Sequence, residues 1–236
     1  SALRTTLERG QLTYPKITTK PVVSVQAGEK TEGGTTGMAI DMETAQASTY
    51  LGGGDLSWQA INWSSPDALQ LWFDLAAADY ALKTEQDAGN VVTDNAFTHV
   101  ISSALTTTPT FAEFLTAVGA GAAKVYANSG RQADTLYMSE DRFWYVFGLT
   151  SDAFAQFAAV TAGGIGPLNI VRSRGMDSGE MVVGDSKGLL VAETAGAPVE
   201  LRAVEPAIGG LEVGIIGAFE AVVVDDGAFS LITSAS

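Results

Sequence analysis

Apolar residues recur at helical spacing in one long segment in the first half of the chain. Two stripes are visible, one of Leu69, Trp72, Phe73, Ala76 and Tyr80 and one of Leu71, Leu75, Ala78 and Leu82. Together the two stripes predict a helix that is buried on most of its circumference. Ser64 to Asp67 resembles an N-cap with a first turn, and Gly89-Asn90 resembles a C-cap, so the predicted helix has about 23 residues.

Further helices are predicted from their caps. Thr110 and Glu113 form a capping box in front of another apolar stripe, and this helix is predicted to end at 128–130. Ser139 is predicted to cap a helix that reaches Phe147, directly after a short strand at 136–138. The segment 152–160 is a candidate for a fourth helix.

The first sixty residues are predicted to be extended. Residues 1–20 lack helical periodicity and predict an N-terminal arm. Strands at 22–25 and 38–42 flank a glycine-rich tip and predict a long hairpin between Val22 and Ile61, which a second glycine run at 52–54 interrupts before Leu56. Because this hairpin has little alternating apolar content, it cannot bury a face of its own and needs a neighbouring surface.

After Gly163 the chain changes to short strands separated by turns at regular spacing. The predicted strands are 168–171, 181–183, 189–192, 199–204, 211–224 and 228–232. Asp226-Gly227 predicts a hairpin between the last two strands. Helices and strands in separate runs indicate an α+β fold and not a βαβ succession.

Charge and residue content exclude several functions. The chain has 236 residues, enough for one large domain or two small ones, and its net charge of −14 disfavours direct nucleic-acid readout. The absence of cysteine excludes disulfides, zinc-cysteine sites and cysteine nucleophiles, and His99 is the single histidine available to a catalytic triad. Glu220 interrupts the longest apolar window, so no membrane segment is predicted, and no secretion signal is recognised.

The sequence contains no pattern typical of a catalytic, cofactor or metal site. Gly119 to Lys124 fits neither phosphate-binding nor dinucleotide-binding spacing and predicts close packing of small residues within a helix. The acidic pairs Glu140/Asp141 and Asp225/Asp226 predict a helix cap and a turn, although two carboxylates across a cleft can perform acid–base hydrolysis. His99 is predicted to be structural. We therefore expect no catalytic residue, no cofactor and no metal.

Candidate contacts with other subunits lie in the first part of the chain. Clustered tryptophans at the junction of hairpin and helix are typical of a core or a subunit interface. The charges of the hairpin tip can dock onto a neighbouring subunit. The candidates are Arg4, Arg9, Glu29, Lys30, Glu32, Trp58 and Trp63.

The order of these elements resembles the major capsid proteins of tailed bacteriophages, over nearly the whole chain. The resemblance is carried by the arm leading into Pro21-Val22-Val23-Ser24-Val25, by the junction Leu56 to Pro66 before the long helix, by Leu136-Tyr137-Met138-Ser139 before a helix, and by the tail from Gly184 to Phe229.

That resemblance implies a domain organisation. It implies an N-terminal arm at 1–20, an extended two-stranded loop at 21–60, a spine helix and peripheral domain at 61–90, an axial domain at 91–204 and closing strands of the peripheral and axial core at 205–236. Some members of the family crosslink a loop lysine to an asparagine of a neighbour. Lys20 and Lys30 lie in or near the loop, but no partner asparagine can be matched.

The resemblance also implies a function. The chain would be a non-enzymatic subunit that assembles through pentamers and hexamers into an icosahedral shell around double-stranded DNA, without sequence-specific DNA binding. It would assemble in the bacterial cytoplasm, reside in the virion and meet decoration, portal and scaffolding proteins. Maturation cleavage would account for Ser1 as the first residue, and a chain end chosen for expression would account for it equally.

Three alternatives stay open from the sequence. An encapsulin-like nanocompartment protein shares the fold and encloses an enzyme cargo. A tail-tube or other virion protein belongs to the same structural class. A carboxylate-dependent hydrolase using Asp225 or Asp226 belongs to a different class.

Overall fold

A computed structural model describes most of the chain, namely residues 2–26, 28–30, 37–65, 67–96, 105–148, 164–165, 168–207 and 209–233. The described helices are α1 (Trp58–Trp63), α2 (Ala68–Ala96), α3 (Phe111–Ser129) and α4 (Glu140–Gly148). The strands of the first half are β1 (Leu3–Thr6), β2 (Gln11–Thr19), β3 (Ala39–Gln46), β4 (Ser48–Ser57) and β5 (Thr135–Met138). The later strands are β6 (Gly164–Ile165), β7 (Leu168–Arg172), β8 (Met181–Gly184), β9 (Leu189–Glu193), β10 (Val199–Glu205), β11 (Gly210–Val223) and β12 (Phe229–Ile232).

The capping signal for α3 is confirmed. The Thr110 side chain accepts a hydrogen bond from the Glu113 N–H, and the Glu113 carboxylate accepts one from the Thr110 N–H, which completes the capping box. Gly130 ends α3 in the left-handed region with φ of 73°, which glycine adopts without strain. Helix α4 begins directly after Ser139. The candidate helix at 152–160 and His99 lie outside the described residues.

The predicted end of α2 at Gly89-Asn90 is wrong. The helix continues to Ala96, and Gly89 is buried within it. A Cβ on Gly89 would lie 2.3 Å from the Ser173 Oγ and 3.2 Å from the Gly175 Cα. The glycine therefore permits close packing against the segment after β7, and it does not terminate the helix.

The predicted hairpin reaches Ile61, but the extended structure ends at Ser57. Helix α1 starts at Trp58 because the Ser57 Oγ accepts a hydrogen bond from the Ala60 N–H at 3.1 Å and caps it. Strand β4 lies before this point and ends at Ser57.

Two five-stranded sheets form the body of the protein. The first, here called the α2 sheet, has the order β1-β9-β11-β10, and β4 pairs with the other side of β11. The second, here called the α3 sheet, has the order β12-β8-β5-β7-β6. Helices and strands occupy separate runs, so the predicted α+β class is confirmed, as are the six strands predicted in the last third of the chain.

The hairpin predicted at Asp226-Gly227 is wrong. Strand β11 belongs to the α2 sheet, whereas β12 pairs antiparallel with β8 in the α3 sheet, with Phe229 opposite Gly184. Asp225 caps a 3-10 turn over Asp226–Ala228, because its side chain accepts the Gly227 N–H. This turn carries the chain from one sheet to the other instead of reversing it.

Residues 1–20, predicted to be an extended arm, contain two strands. Strand β1 pairs parallel with β9, so residues 3–6 are part of the α2 sheet. Strand β2, also within the predicted arm, pairs antiparallel with β3 and forms the hairpin. The predicted strand at 22–25 lies beyond this pairing. Leu12 and Tyr14 alternate along β2 and lie on the same face of the strand, and both side chains are buried against the α2 sheet at Ala192 and Val222.

Of the two predicted stripes of α2, the first packs against the body of the protein. Phe73 and Tyr80 are buried against Val213 and Ile215 of β11. Gly217 leaves space for the Tyr80 ring, since a Cβ there would lie 2.6 Å from two of its atoms. The second stripe, beginning at Leu71 and Leu75, is mainly exposed, so the prediction of burial on most of the circumference is wrong.

Candidate assembly surfaces

The distal part of the β2–β3 hairpin exposes apolar side chains beyond the paired strands. Val23 is 96% and Val25 is 95% exposed, and Met42 of β3 is also exposed. Glu29 and Lys30 of the tip are exposed, and Glu32 lies outside the described residues. Apolar side chains so fully exposed mark a surface that a second molecule can cover.

The junction of α1 and α2 forms a second exposed apolar surface. Trp58 is 65% and Trp63 is 80% exposed, while Trp72 packs edge-on against Phe73. Leu71 and Leu75 continue the surface along the outer side of α2. Of the two interpretations made for the tryptophans, core or interface, the interface interpretation fits Trp58 and Trp63, and the core interpretation fits Trp72.

Arg4 and Arg9 are exposed at the edge of the α2 sheet. Arg4 lies on β1, and Arg9 lies with Gly10 in a tight turn where both residues have positive φ, 57° and 73°. Neither arginine forms an ion pair with a described residue. The six candidate contact residues that the structure describes therefore lie on several different elements and are not brought into one site.

A cluster of charged side chains lies where the two sheets and the hairpin meet. We call it the junction cluster, and its members are the side chains of Lys20, Arg131, Asp185 and Asp225 together with the backbone carbonyl of Asn128. At its centre is the buried carboxylate of Asp225. Its Oδ1 lies 3.0 Å from the Lys20 Nζ, and its Oδ2 lies 2.9 Å from the Arg131 Nη2. The Lys20 Nζ also donates to the Asn128 carbonyl at 3.0 Å.

The junction cluster joins the two short chain crossings between the sheets, from β8 to β9 and from β11 to β12. Asp185 begins the crossing from β8 to β9, and Asp225 begins the crossing from β11 to β12. The Arg131 guanidinium binds both carboxylates, with its Nε 3.2 Å from the Asp185 Oδ2. The crossings are also hydrogen-bonded to each other, because the Asp185 N–H donates to the Ala228 carbonyl and the Val224 N–H donates to the Gly188 carbonyl.

The surroundings of Asp225 do not suit it to acid–base catalysis. Burial disfavours the charged carboxylate, but hydrogen bonds from Arg131 and Lys20 outweigh burial and lower the pKa of Asp225 below its ordinary value. Both of its oxygens are occupied by cations. Its neighbour Asp226 is half-exposed and lies 3.7 Å from the Lys16 Nζ. A general acid needs a raised pKa and a free oxygen, and Asp225 has neither.

The remaining sequence candidates take structural positions. Glu140 and Asp141 lie in the first turn of α4, as predicted. Gly119 lies within α3, as predicted, but a Cβ there would meet no atom within 4 Å, so its expected close packing is wrong at this residue. Among the described residues no group of three metal-ligating side chains is found, and none of the described helices is long and apolar enough to span a membrane.

Arg131 and Arg142 were missed by the sequence analysis. Arg142 is fully buried in α4 and donates to backbone carbonyls of the 105–107 segment and of Gly179. An arginine inside the apolar run of α4 is a signal for such a role, since a buried arginine must be hydrogen-bonded. Nothing local distinguishes Arg131 from a surface arginine, because its partners come from distant turns.

Several solved structures of phage capsids align with nearly the whole chain. The capsid of a native GTA particle has TM-score 0.71 and 15% identity, covering 100% of this chain and 88% of that chain. The capsid of the cyanophage P-SCSP1u has TM-score 0.70 and 10% identity, covering 100% of this chain and 86% of that chain. The mature capsid of bacteriophage PhiM1 has TM-score 0.66 and 10% identity, with the same coverage of 100% and 86%. No family model and no curated protein matches the sequence.

Proposed function

We propose that this chain, which has the fold of the tailed-phage major capsid proteins, is a structural subunit that self-associates into an icosahedral shell. The observation that carries the proposal is the alignment with capsid structures over the full length, at TM-scores from 0.64 to 0.71. The proposed role is structural and not enzymatic.

The exposed surfaces support self-association. One chain has an apolar hairpin tip at Val23 and Val25 and an apolar surface at Trp63 and Leu75, each exposed in the single chain. Two different surfaces that remain uncovered on one chain favour a head-to-tail contact between copies, and such contacts close into rings when the rotation permits. Rings of five and six subunits are the capsomers that we propose.

The proposed domains follow the two sheets. The α2 sheet with α2 corresponds to the peripheral domain, and the α3 sheet with α3 and α4 corresponds to the axial domain around the capsomer centre. The boundaries 61–90, 91–204 and 205–236 are modified in this proposal, because β9 and β10 join the α2 sheet and β12 joins the α3 sheet.

The acidic composition suits a container for DNA. A net charge of −14 favours repulsion between the wall and packaged double-stranded DNA, so the DNA is enclosed without sequence-specific binding. Portal, scaffolding and decoration proteins are the further partners that we propose. Assembly in the bacterial cytoplasm and residence in the virion follow from the same role.

Electron microscopy of the purified protein, with its nucleic-acid content recorded, tests the proposal. We expect closed icosahedral shells of phage-head size. Small shells filled with a protein cargo would instead support an encapsulin-like compartment. A monomer or dimer under conditions that promote assembly would refute the shell function.

A variant without the hairpin tip tests the contact surfaces. Replacing residues 21–37 by Asn-Gly keeps β2 and β3 closed, because Thr19 and Ala39 are paired at the end of the ladder. Sedimentation should show loss of particles, and the double substitution Val23→Ser with Val25→Ser should reduce assembly by about tenfold or more. Val171→Ser, at a partly exposed valine of β7, is the matched control and should assemble normally. Normal assembly of the tip-deleted chain contradicts a contact role for the hairpin.

A further inference from the structure

The hairpin is attached to the body by two chemically different contacts. Near its base, Leu12 and Tyr14 are buried in an apolar cluster with Ala192 and Val222. Farther along β2 the contacts with the body are polar, and every residue of β3 is exposed except the partly buried Ala45. An apolar base with a polar outer contact allows the outer part to detach while the base stays in place.

Lys20 makes a polar contact with the body just after the end of β2. Its Nζ lies 3.0 Å from the Asp225 Oδ1 and 3.0 Å from the Asn128 carbonyl, so one ammonium group holds the end of β2 against both the β11–β12 crossing and the end of α3. Closer to the base, the Lys16 Nζ lies 3.7 Å from the Asp226 Oδ2, and the Ile17 N–H donates to the Val224 carbonyl. The Lys20 contact is the shorter ion pair, and its acceptor is the buried one.

The same carboxylate also serves the body. Asp225 binds Arg131 through its other oxygen, and Arg131 connects the two crossings between the sheets. The direction of the hairpin and the junction of the two sheets therefore depend on one side chain. The cation on the hairpin side is partly exposed, whereas the carboxylate is not, so Lys20 can leave without unfolding the junction.

We propose that Lys20 is a positioning residue whose reversible contact with Asp225 and the Asn128 carbonyl sets the direction of the hairpin tip before it meets a neighbouring subunit. The contact has a closed state, in which the tip has one direction, and an open state, in which the hairpin is held by its Leu12 and Tyr14 base and by the Lys16 and Ile17 contacts. This proposal rests on the proposed function for its consequence in assembly, but the two states belong to the single chain.

A distance measurement on the unassembled chain tests the two states. The sequence has no cysteine, so spin labels at Val23→Cys and Ala120→Cys, both exposed positions, report the distance from tip to α3 without background. With Lys20 present we expect one narrow distance distribution. Lys20→Met should shift the ratio of open to closed chains by about tenfold or more, because a hydrogen-bonded ion pair to a buried carboxylate is lost. The distribution should then broaden or gain a second maximum.

Two further variants complete the test. Lys30→Met makes the same substitution on the same hairpin, at a lysine that has no ion pair with a described residue, and should leave the distribution unchanged. Lys20→Arg retains charge and donors and should restore the narrow distribution. Unchanged melting of all variants shows that the body is folded. An unchanged distribution in folded Lys20→Met, or equal broadening by Lys30→Met, overturns the proposal.

Assembly of the same variants separates this proposal from the proposed function. Where the unsubstituted chain forms shells, Lys20→Met should give particles with a broader range of sizes, and Lys30→Met should not. Where the unsubstituted chain forms no shells, the proposed function fails, and the distance measurement still decides whether Lys20 holds the hairpin.

Discussion

Replacement of Arg142 by methionine should destabilise the α3 sheet strongly. The Arg142 Nε donates to the Gly179 carbonyl at 3.0 Å, and its Nη1 donates to the Thr106 and Thr107 carbonyls at 2.8 and 3.1 Å. A weaker bond joins the Nη2 to the Leu105 carbonyl at 3.4 Å. One guanidinium thus joins α4, the segment before α3 and the turn before β8.

The magnitude follows from the loss of these donors. Hydrogen bonds to a charged group contribute about 1.5–3 kcal/mol each, but methionine buries apolar surface and removes the desolvation of the guanidinium. We expect a net loss of about 3 kcal/mol in the free energy of unfolding. For a chain of 236 residues this corresponds to a fall in Tm of roughly 6–12 °C.

Thermal unfolding of the unassembled chain, followed by circular dichroism, measures this change. Arg174→Met is the matched control, because Arg174 is half-exposed and lies 3.8 Å from the half-exposed Glu140, a surface pair that contributes about 0.5 kcal/mol. Arg142→Lys keeps the charge but loses the planar guanidinium, so its Tm should lie between the Tm of Arg142→Met and that of Arg174→Met. A Tm for Arg142→Met within about 2 °C of the unsubstituted chain would refute the reasoning.

Three further predictions concern packing and pH. Gly217→Ala should lower the free energy of unfolding by about 1–3 kcal/mol, because the new methyl group overlaps the Tyr80 ring. Gly119→Ala, in open space on a helix, should raise the free energy of unfolding by about 0.5–1 kcal/mol. Urea denaturation measures both changes. Burial raises the pKa of Glu220, so the unsubstituted chain should gain stability as the pH falls towards that pKa, and Glu220→Gln should be the more stable chain at pH 7, with the difference shrinking as the pH is lowered. The pH dependence of stability has the opposite sign for Asp225, because hydrogen bonds outweigh burial and lower its pKa. Its contribution to stability is present above the unfolded pKa and is lost as the pH falls through the folded pKa, so Asp225→Asn should be the less stable chain at pH 7 but similar in strong acid. Equal stability of the two chains at pH 7 would exclude a stabilising role for the carboxylate.

Local signals predicted the local structure well. The Thr110 capping box and Gly130 define α3 because the atoms that satisfy the helix ends lie within a few residues of them. The strands after Gly163 follow alternation and turn chemistry, which are also short-range. The resemblance to phage capsid proteins came from the order of these elements, and the solved structures support the fold.

Predictions that depended on distant partners were less successful. Gly89-Asn90 is a pair typical of a helix end, but Gly89 lies within α2, where the absence of a side chain allows close contact with Ser173 and Gly175. Asp226-Gly227 has the composition of a hairpin, but β12 pairs with β8 because that pairing buries Phe229. The second stripe of α2 is apolar like the first, but Leu71 and Leu75 are exposed because no described element of the chain packs against that side of the helix.

The candidate surfaces were found in part. Exposed tryptophans and hairpin charges were recognisable by composition, whereas the junction cluster was not, because Lys20, Arg131, Asp185 and Asp225 come from four separate segments. Each has an ordinary local environment in the sequence. Only the crossing of the chain between the two sheets makes them neighbours.

The pairing of β4 with β11 also determines the order in which the chain can fold during synthesis. Ser57 is opposite Gly210, so β4 and α2 leave the ribosome long before the strand that covers them exists. At synthesis rates of about 5–20 residues per second, Phe73 and Tyr80 would remain without their partners Val213 and Ile215 for on the order of ten seconds. During that interval both stripes of α2 are uncovered. The nascent chain is therefore most exposed to aggregation before β11 is made, and a chaperone that binds apolar helices would act at this stage.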